Sequence, residues 1–161
     1  MEHLHAKQKG TLGELAIAQD LISNGYAVFT ELGDLSKVDL IALVPIPVKI
    51  QVKSLKSTNG AIELSSRKSG PNYRFRYTEQ DVDIFAVYVY DRNIIAYIAC
   101  KELLENSRMM TLRIDKPKNN QHKARRIDDY RDFQRALRDY TGNIPPSNVG
   151  DDEIVQTTTK Q

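Results

Sequence analysis

The sequence predicts a mixed α/β domain, and three observations carry that expectation. Helix-patterned and strand-patterned segments alternate along the chain. Its 161 residues suit one compact domain with short appendages, and a hydrophobic fraction of 40% is enough for a core. Near the middle, Val48, Ile50 and Val52 alternate with Lys49, Gln51 and Lys53 in a clean two-residue period.

Taken in order, residues 11–24 predict an amphipathic helix with Leu15, Ala18 and Ile22 on one stripe and Leu12 and Ile17 beside it. Thr11 and Glu14 have the spacing of a capping box, and Asn24-Gly25 is a stop signal. Short strands are expected over 26–30 and 37–44. Pro45-Ile46-Pro47 then imposes a turn or an edge, so 37–44 and 48–54 form a hairpin. Residues 56–77 are poor in apolar side chains and predict an extended loop, with a short strand over 73–77. A helical turn is expected at 78–82, strands at 83–90 and 93–98, a short helix at 101–107 and a strand at 109–114. Residues 116–126 form a basic connection. Residues 127–140 predict a helix with Ile127, Tyr130, Phe133, Leu137 and Tyr140 on the core face. The domain is thus expected over 1–140, with 141–161 a disordered tail.

Composition excludes several classes. No apolar run is long enough to cross a bilayer, and no secretory signal is expected behind the polar start of the chain. The single Cys100 rules out an internal disulfide framework and fits a reducing, cytoplasmic setting. One cysteine and three scattered histidines argue against structural zinc. Glycine-rich phosphate loops and nucleophile elbows are absent from the sequence.

Net charge is only +2, but it is unevenly spread. Residues 141–161 hold Asp151, Asp152 and Glu153 against Lys160, a net of −2 that leaves +4 on residues 1–140. Two segments concentrate the cations. Residues 65–77 carry Arg67, Lys68, Arg74 and Arg76 with Asn72, Tyr73, Phe75 and Tyr77, and no acid. Residues 116–126 carry Lys116, Lys118, Lys123, Arg125 and Arg126 with Asn119. Arginine and asparagine can read base edges, lysine and tyrosine can contact phosphate, and aromatic rings can stack on bases. The bland reading of both segments is a solvated polar loop.

Glu14, Asp39, Gln51 and Lys53 are the candidate catalytic set. Gln51 and Lys53 share one strand face, hairpin pairing would bring Asp39 alongside Gln51, and Glu14 would join if its helix packed on that face. Oxygen donors around a divalent cation, with an ammonium close by, suit phosphodiester hydrolysis. Glu31, Ser36, Lys37 and Ser54 flank the set.

The order of these residues, Glu in GELAIAQDL, Asp in KVDLIAL and Gln-x-Lys in KIQVKS, resembles the PD-(D/E)xK nuclease superfamily over about residues 10–98. That family has a restriction-endonuclease-like core, a mixed β-sheet flanked by helices. The resemblance implies an endonuclease acting on double-stranded DNA, with Mg²⁺ or another divalent cation held by Asp39, Glu14 and Gln51, and with Lys53 near the nucleophilic water. Gln51 departs from the usual acidic residue and supplies no charge. A Gln there, with SKVDLIAL and IQVKSLKS around the site, is similar to a bacterial group I intron homing endonuclease. That type is a homotetramer with a long, nearly palindromic target, so a homo-oligomer, a dimer at least, is implied. A junction-resolving or repair nuclease on the same core, and a non-catalytic DNA-binding protein, remain open on the sequence.

Overall fold

The protein was analysed as a computed structural model that describes residues 3–31, 36–70, 73–116 and 124–141. The elements are α1 (Ala6–Ser23), β1 (Ala27–Thr30), β2 (Leu40–Val44), β3 (Ile46–Leu55), β4 (Ala61–Ser65), β5 (Arg67–Gly70), β6 (Tyr73–Arg76), β7 (Ile84–Val89), β8 (Ile94–Ala99), α2 (Cys100–Glu105), β9 (Met109–Arg113), a 3₁₀ turn (Ile127–Tyr130) and α3 (Phe133–Thr141). Of the expected tail at 141–161, Thr141 ends α3 and the rest lies outside the described residues.

Five strands form the central sheet in the order β1-β2-β3-β7-β8. Every pair is antiparallel except β3 with β7, which makes the sheet mixed. The predicted hairpin is present, with Val44 opposite Ile46 and Pro45 between them. A parallel pair needs a long crossover. Residues 56–83 provide it with strands instead of a helix: β4 pairs with β9, and β5 pairs with β6. Of the expected loop over 56–77, the short strand at its end is present as β6, and the earlier part is corrected, since it forms β4 and β5. Ile62 and Leu64 alternate with polar neighbours and bury against the sheet, a period-2 signal hidden by the Ser, Gly and Lys around it.

Each face of the sheet has its own core. One face buries Val48, Ile50, Val52, Ile84 and Ala86 under α1 and α3. The other buries Phe85, Val87, Ala96 and Ile98 under the β4–β9 pair, α2 and the 3₁₀ turn. The predicted helix over 127–140 breaks at Arg131-Asp132, where the Asp132 carboxylate accepts the Gln134 N–H at 2.9 Å. The break lets Ile127 and Tyr130 pack on one face and Phe133 and Leu137 on the other.

Helix α1 differs from expectation in start and orientation. It begins at Ala6, with the His5 N–H donating to Gln8 Oε1 at 2.9 Å. Thr11 is mid-helix and donates to the Lys7 carbonyl, so Thr11 and Glu14 form no cap. The buried stripe is Gly13, Ile17 and Leu21, whereas Leu15 and Ile22 are 61% and 59% exposed. Contact with β3 selects this face. The helix crosses the strand at Gly13, where a Cβ would lie 1.9 Å from Ser54 Oγ, while Ser54 Oγ donates to the Lys9 carbonyl at 2.8 Å. Only glycine lets the backbone come so near, and the residue carried in beside the strand is Glu14.

Gly13→Ala should therefore lower stability by about 1–3 kcal/mol, the usual cost of overpacking. Thermal unfolding checks this, and a second change, Ser54→Gly, should recover part of the loss by clearing the colliding atoms.

Candidate active site

The site is built where β2 and β3 part. Their pairing ends at Leu40–Ile50, followed by one more bond from the Asp39 N–H to the Ile50 carbonyl at 3.0 Å. The next donor on β3, the Val52 N–H, is taken by the Asp39 side chain, whose Oδ2 accepts it at 2.7 Å. Beyond this point β3 keeps β7 on one side, and among the described residues no strand pairs with its other edge. A cleft of about 970 Å³ opens along that edge.

Glu14, Asp39, Gln51 and Lys53 all line this cleft. The route by which Glu14 arrives differs from expectation. Helix α1 packs Ile17 and Leu21 on the sheet face opposite Gln51 and Lys53, and Glu14 reaches the cleft beside the open edge of β3. Gln51 is 5% exposed. Its Nε2 donates to Asp39 Oδ2 and, at 3.1 Å, to the Val52 carbonyl, while its Oε1 accepts the Tyr77 hydroxyl at 2.6 Å. Three oxygens, of Asp39, Val52 and Tyr77, thus converge on the Gln51 amide group. Among the described residues, no group of three or more His, Cys, Asp or Glu is arranged to hold a metal. A cation here would rely on two carboxylates and on neutral oxygens, and that donor set suits a hard ion such as Mg²⁺.

Lys53 is half-buried with its ammonium 4.8 Å from the centroid of the Tyr77 ring. Burial, followed by the like charge of Lys68, pushes its pKa down to about 8, and Asp39 opposes them. Lys53 therefore keeps its proton at neutral pH and loses it as pH rises through 8.

The cleft continues past these four groups. Lys7, Lys9 and Lys56 line it together with Lys68. Lys56 stands three residues after Lys53, but its place in the cleft depends on the end of β3, which the sequence pattern leaves open. Glu31 and Ser36 also line it, with the Ser36 N–H donating to Glu31 at 3.1 Å. Ser54 lines the cleft too while bonding to α1, whereas Lys37 pairs with Asp81 at 2.7 Å.

Strands β5 and β6 make a two-stranded ribbon beside the cleft. Arg67 faces Arg76 and Ser69 faces Arg74 across it, and all four are exposed. Lys68 and Phe75 pair on the inner side and are half-buried. Tyr77, just past the ribbon, is fully buried. The expectation that Phe75 and Tyr77 stack on bases is thus corrected, because both serve the interior. Tyr77 was legible only as one aromatic in a basic segment, and nothing in the sequence ties it to Gln51. Tyr73 is on β6, but its side chain, like Asn72, lies outside the described part. Lys116 and Arg125 are exposed, and Arg125 donates to Asn106. Lys118, Asn119 and Lys123 lie outside the described residues.

Comparison with known proteins follows the same line. No curated protein matches the chain. Among solved structures, a bacterial homing endonuclease, I-Ssp6803I, is similar with a TM-score of 0.67 and 23% identity, covering 83% of this chain and 93% of its own. That likeness shows a shared fold. The profile of the PD-(D/E)XK endonuclease family matches residues 4–133, which includes every strand and the whole cleft. A match over most of the chain makes this protein a member of the PD-(D/E)XK endonuclease family.

Proposed function

We propose that the protein is a divalent-metal-dependent, site-specific endonuclease of double-stranded DNA, of the homing type. The convergence of Glu14, Asp39, Gln51 and Lys53 on one cleft beside a basic ribbon carries this reading. Asp39, Glu14 and the Gln51 amide oxygen would hold the cation, with Mg²⁺ the natural choice for an all-oxygen set. When bound, such an ion acidifies water and polarises the phosphate. Lys53, protonated at neutral pH, orients the attacking water and offsets charge on the scissile phosphate.

The outward arginines Arg67, Arg74 and Arg76 suit a DNA groove, with Lys68 turned toward the scissile strand. Asn72, Tyr73, Lys116, Lys118, Asn119, Lys123 and Arg125 extend the proposed DNA-contacting set. A ribbon with its cations on one outer face favours readout of a duplex sequence over recognition of a branched shape. A purely DNA-binding role would need neither Lys53 nor Asp39 in the cleft.

One cleft cuts one strand, so a double-strand break needs two copies related by a two-fold axis. Exposed Leu15 and Ile22 on α1 give a second copy apolar surface to cover. The resemblance to tetrameric homing enzymes extends this to four copies.

Incubation of a randomised duplex library and of a four-way junction with Mg²⁺, followed by sequencing of the cut ends, tests the activity. Ends at one recurring duplex sequence are expected. Lys53→Ala and Asp39→Asn should each slow cleavage by about 100-fold or more, with DNA affinity changed by no more than about threefold. Parent-rate cleavage by either variant removes the assigned roles. For the ribbon, replacing Arg67, Arg74 and Arg76 with Ala should weaken binding and flatten the salt dependence by about 0.9 in log–log slope for each phosphate left without its arginine. An unchanged slope would take the ribbon off the DNA.

A further inference from the structure

We infer that Tyr77 is a positioning residue of this cleft, whose hydroxyl holds the Gln51 amide through both orientations that amide must adopt. The inference rests on the nuclease reading above and concerns a residue outside the Glu, Asp, Gln-x-Lys set. Its starting point is the direction of the present bonds. The Gln51 amide nitrogen faces the Asp39 carboxylate and the Val52 carbonyl, and its oxygen faces Tyr77. That is the favoured order when a negative carboxylate is the neighbour. It is the wrong order for sharing a cation with Asp39, because the amide then offers hydrogens where an oxygen is needed.

The amide must therefore turn half a revolution about its last side-chain bond. Turning carries the nitrogen to the Tyr77 hydroxyl. A phenol both donates and accepts, so the contact survives with its direction reversed. Water cannot readily substitute for that partner, since Gln51 is 5% and Tyr77 0% exposed. An unmatched amide hydrogen or oxygen at such depth is costly.

The tyrosine is itself well fixed. Phe75 and Phe85 meet its ring edge-on, with centroids 4.9 and 5.4 Å away. Its N–H donates to the Ser66 carbonyl at 2.9 Å, and Arg108 Nη1 donates to its carbonyl at 3.3 Å. The ring also lies beneath the Lys53 ammonium. One immobile side chain thus touches both non-acidic members of the set, and it sits at the foot of the arginine ribbon.

The test is a double-mutant cycle. Parent, Tyr77→Phe, Gln51→Ala and the double variant are compared in single-turnover cleavage with saturating Mg²⁺, and in DNA affinity with Ca²⁺ in place of Mg²⁺. Tyr77→Phe keeps the ring and removes only the hydroxyl. Its cleavage rate should fall about tenfold, the worth of one buried hydrogen bond, with DNA affinity near the parent's and a melting temperature lowered by a few degrees, since the Gln51 amide oxygen loses its buried donor. On the Gln51→Ala background the same change should cost less than about twofold, since the partner is gone. A Tyr77→Phe rate within about twofold of the parent overturns the inference, as does an equal loss on both backgrounds.

A second readout needs no cleavage. In the ¹⁵N spectrum of the DNA-free parent, the Gln51 side-chain amide signals, assigned by their disappearance in Gln51→Ala, should shift on adding Mg²⁺ as the nitrogen leaves Asp39. They should broaden in Tyr77→Phe. Signals indifferent to Mg²⁺ overturn the two-orientation account. If the parent cuts nothing with Mg²⁺, the nuclease reading fails, while the spectra still decide whether Tyr77 holds Gln51.

Discussion

The hydrogen bond from the Val52 N–H to the Asp39 carboxylate determines what the cleft can be. In an uninterrupted antiparallel pair that N–H would belong to a backbone carbonyl on β2. A side chain takes it instead, so β2 can leave the sheet without stranding a buried donor. Three consequences follow from this one substitution of partner. The edge of β3 is released over the residues that include Lys53. Asp39 is fixed at the rim of the gap by its bonds to Val52 and Gln51. Gln51, next to Val52 in sequence, is brought against the same carboxylate. Other members of the site are recruited to a gap that this bond holds open, Glu14 by the glycine contact of α1 and Lys68 by the inner face of the ribbon.

The charge balance of the cleft follows from the presence of glutamine at position 51. Glu14 and Asp39 are its two candidate acidic ligands, and Lys53 and Lys68 lie close enough to influence one another. A third carboxylate would draw a cation more strongly. It would also raise the proton affinity of Lys53, whose pKa burial and Lys68 hold down near 8. A neutral amide preserves the oxygen and leaves the lysine's environment nearly as it is. The consequence is a site that depends on orientation more than on charge. A carboxylate presents an oxygen whichever way it turns, whereas an amide presents one in only half of its positions. This is why the partner of that amide, Tyr77, carries weight that it would lack beside a glutamate.

Much of this was legible from periodicity and order. The alternation around Gln51 fixed which side chains face the core, and Pro45 fixed the hairpin that sets Asp39 beside Gln51. Legibility failed where tertiary contact overrides local pattern. The hydrophobicity of Leu15 and Ile22 suggested the buried stripe of α1, yet Gly13 is the residue that determines it, because backbone proximity to Ser54 is a constraint between distant parts of the chain. The start of α1 was missed for a related reason, since residues 6–10 carry no apolar period of their own. Strand β4 was hidden because its two core residues are flanked by loop-forming ones. Tyr77 was visible only as one of the aromatics that could stack on bases, and a single residue gives no period from which to judge its direction.

Under the proposed function, the direction of Tyr77 bears on how recognition and catalysis are kept apart. A β-ribbon assigns alternate residues to opposite faces. On β6, Arg74 and Arg76 face out while Phe75 faces in, and Tyr77, just beyond the strand's end, continues inward into the core beneath Lys53. Outer positions can then change without disturbing the inner ones. The separation is by face and not by segment, so the two functions still share a backbone. Under the proposed function, a displacement of the ribbon on a groove would reach Tyr77 directly from β6 and through its bond to Ser66, the residue before β5, and from there Gln51 and Lys53. On the same proposal, a ribbon docked in one position would set the geometry of the cleft, a physical route by which fit to a sequence becomes a condition for cutting it.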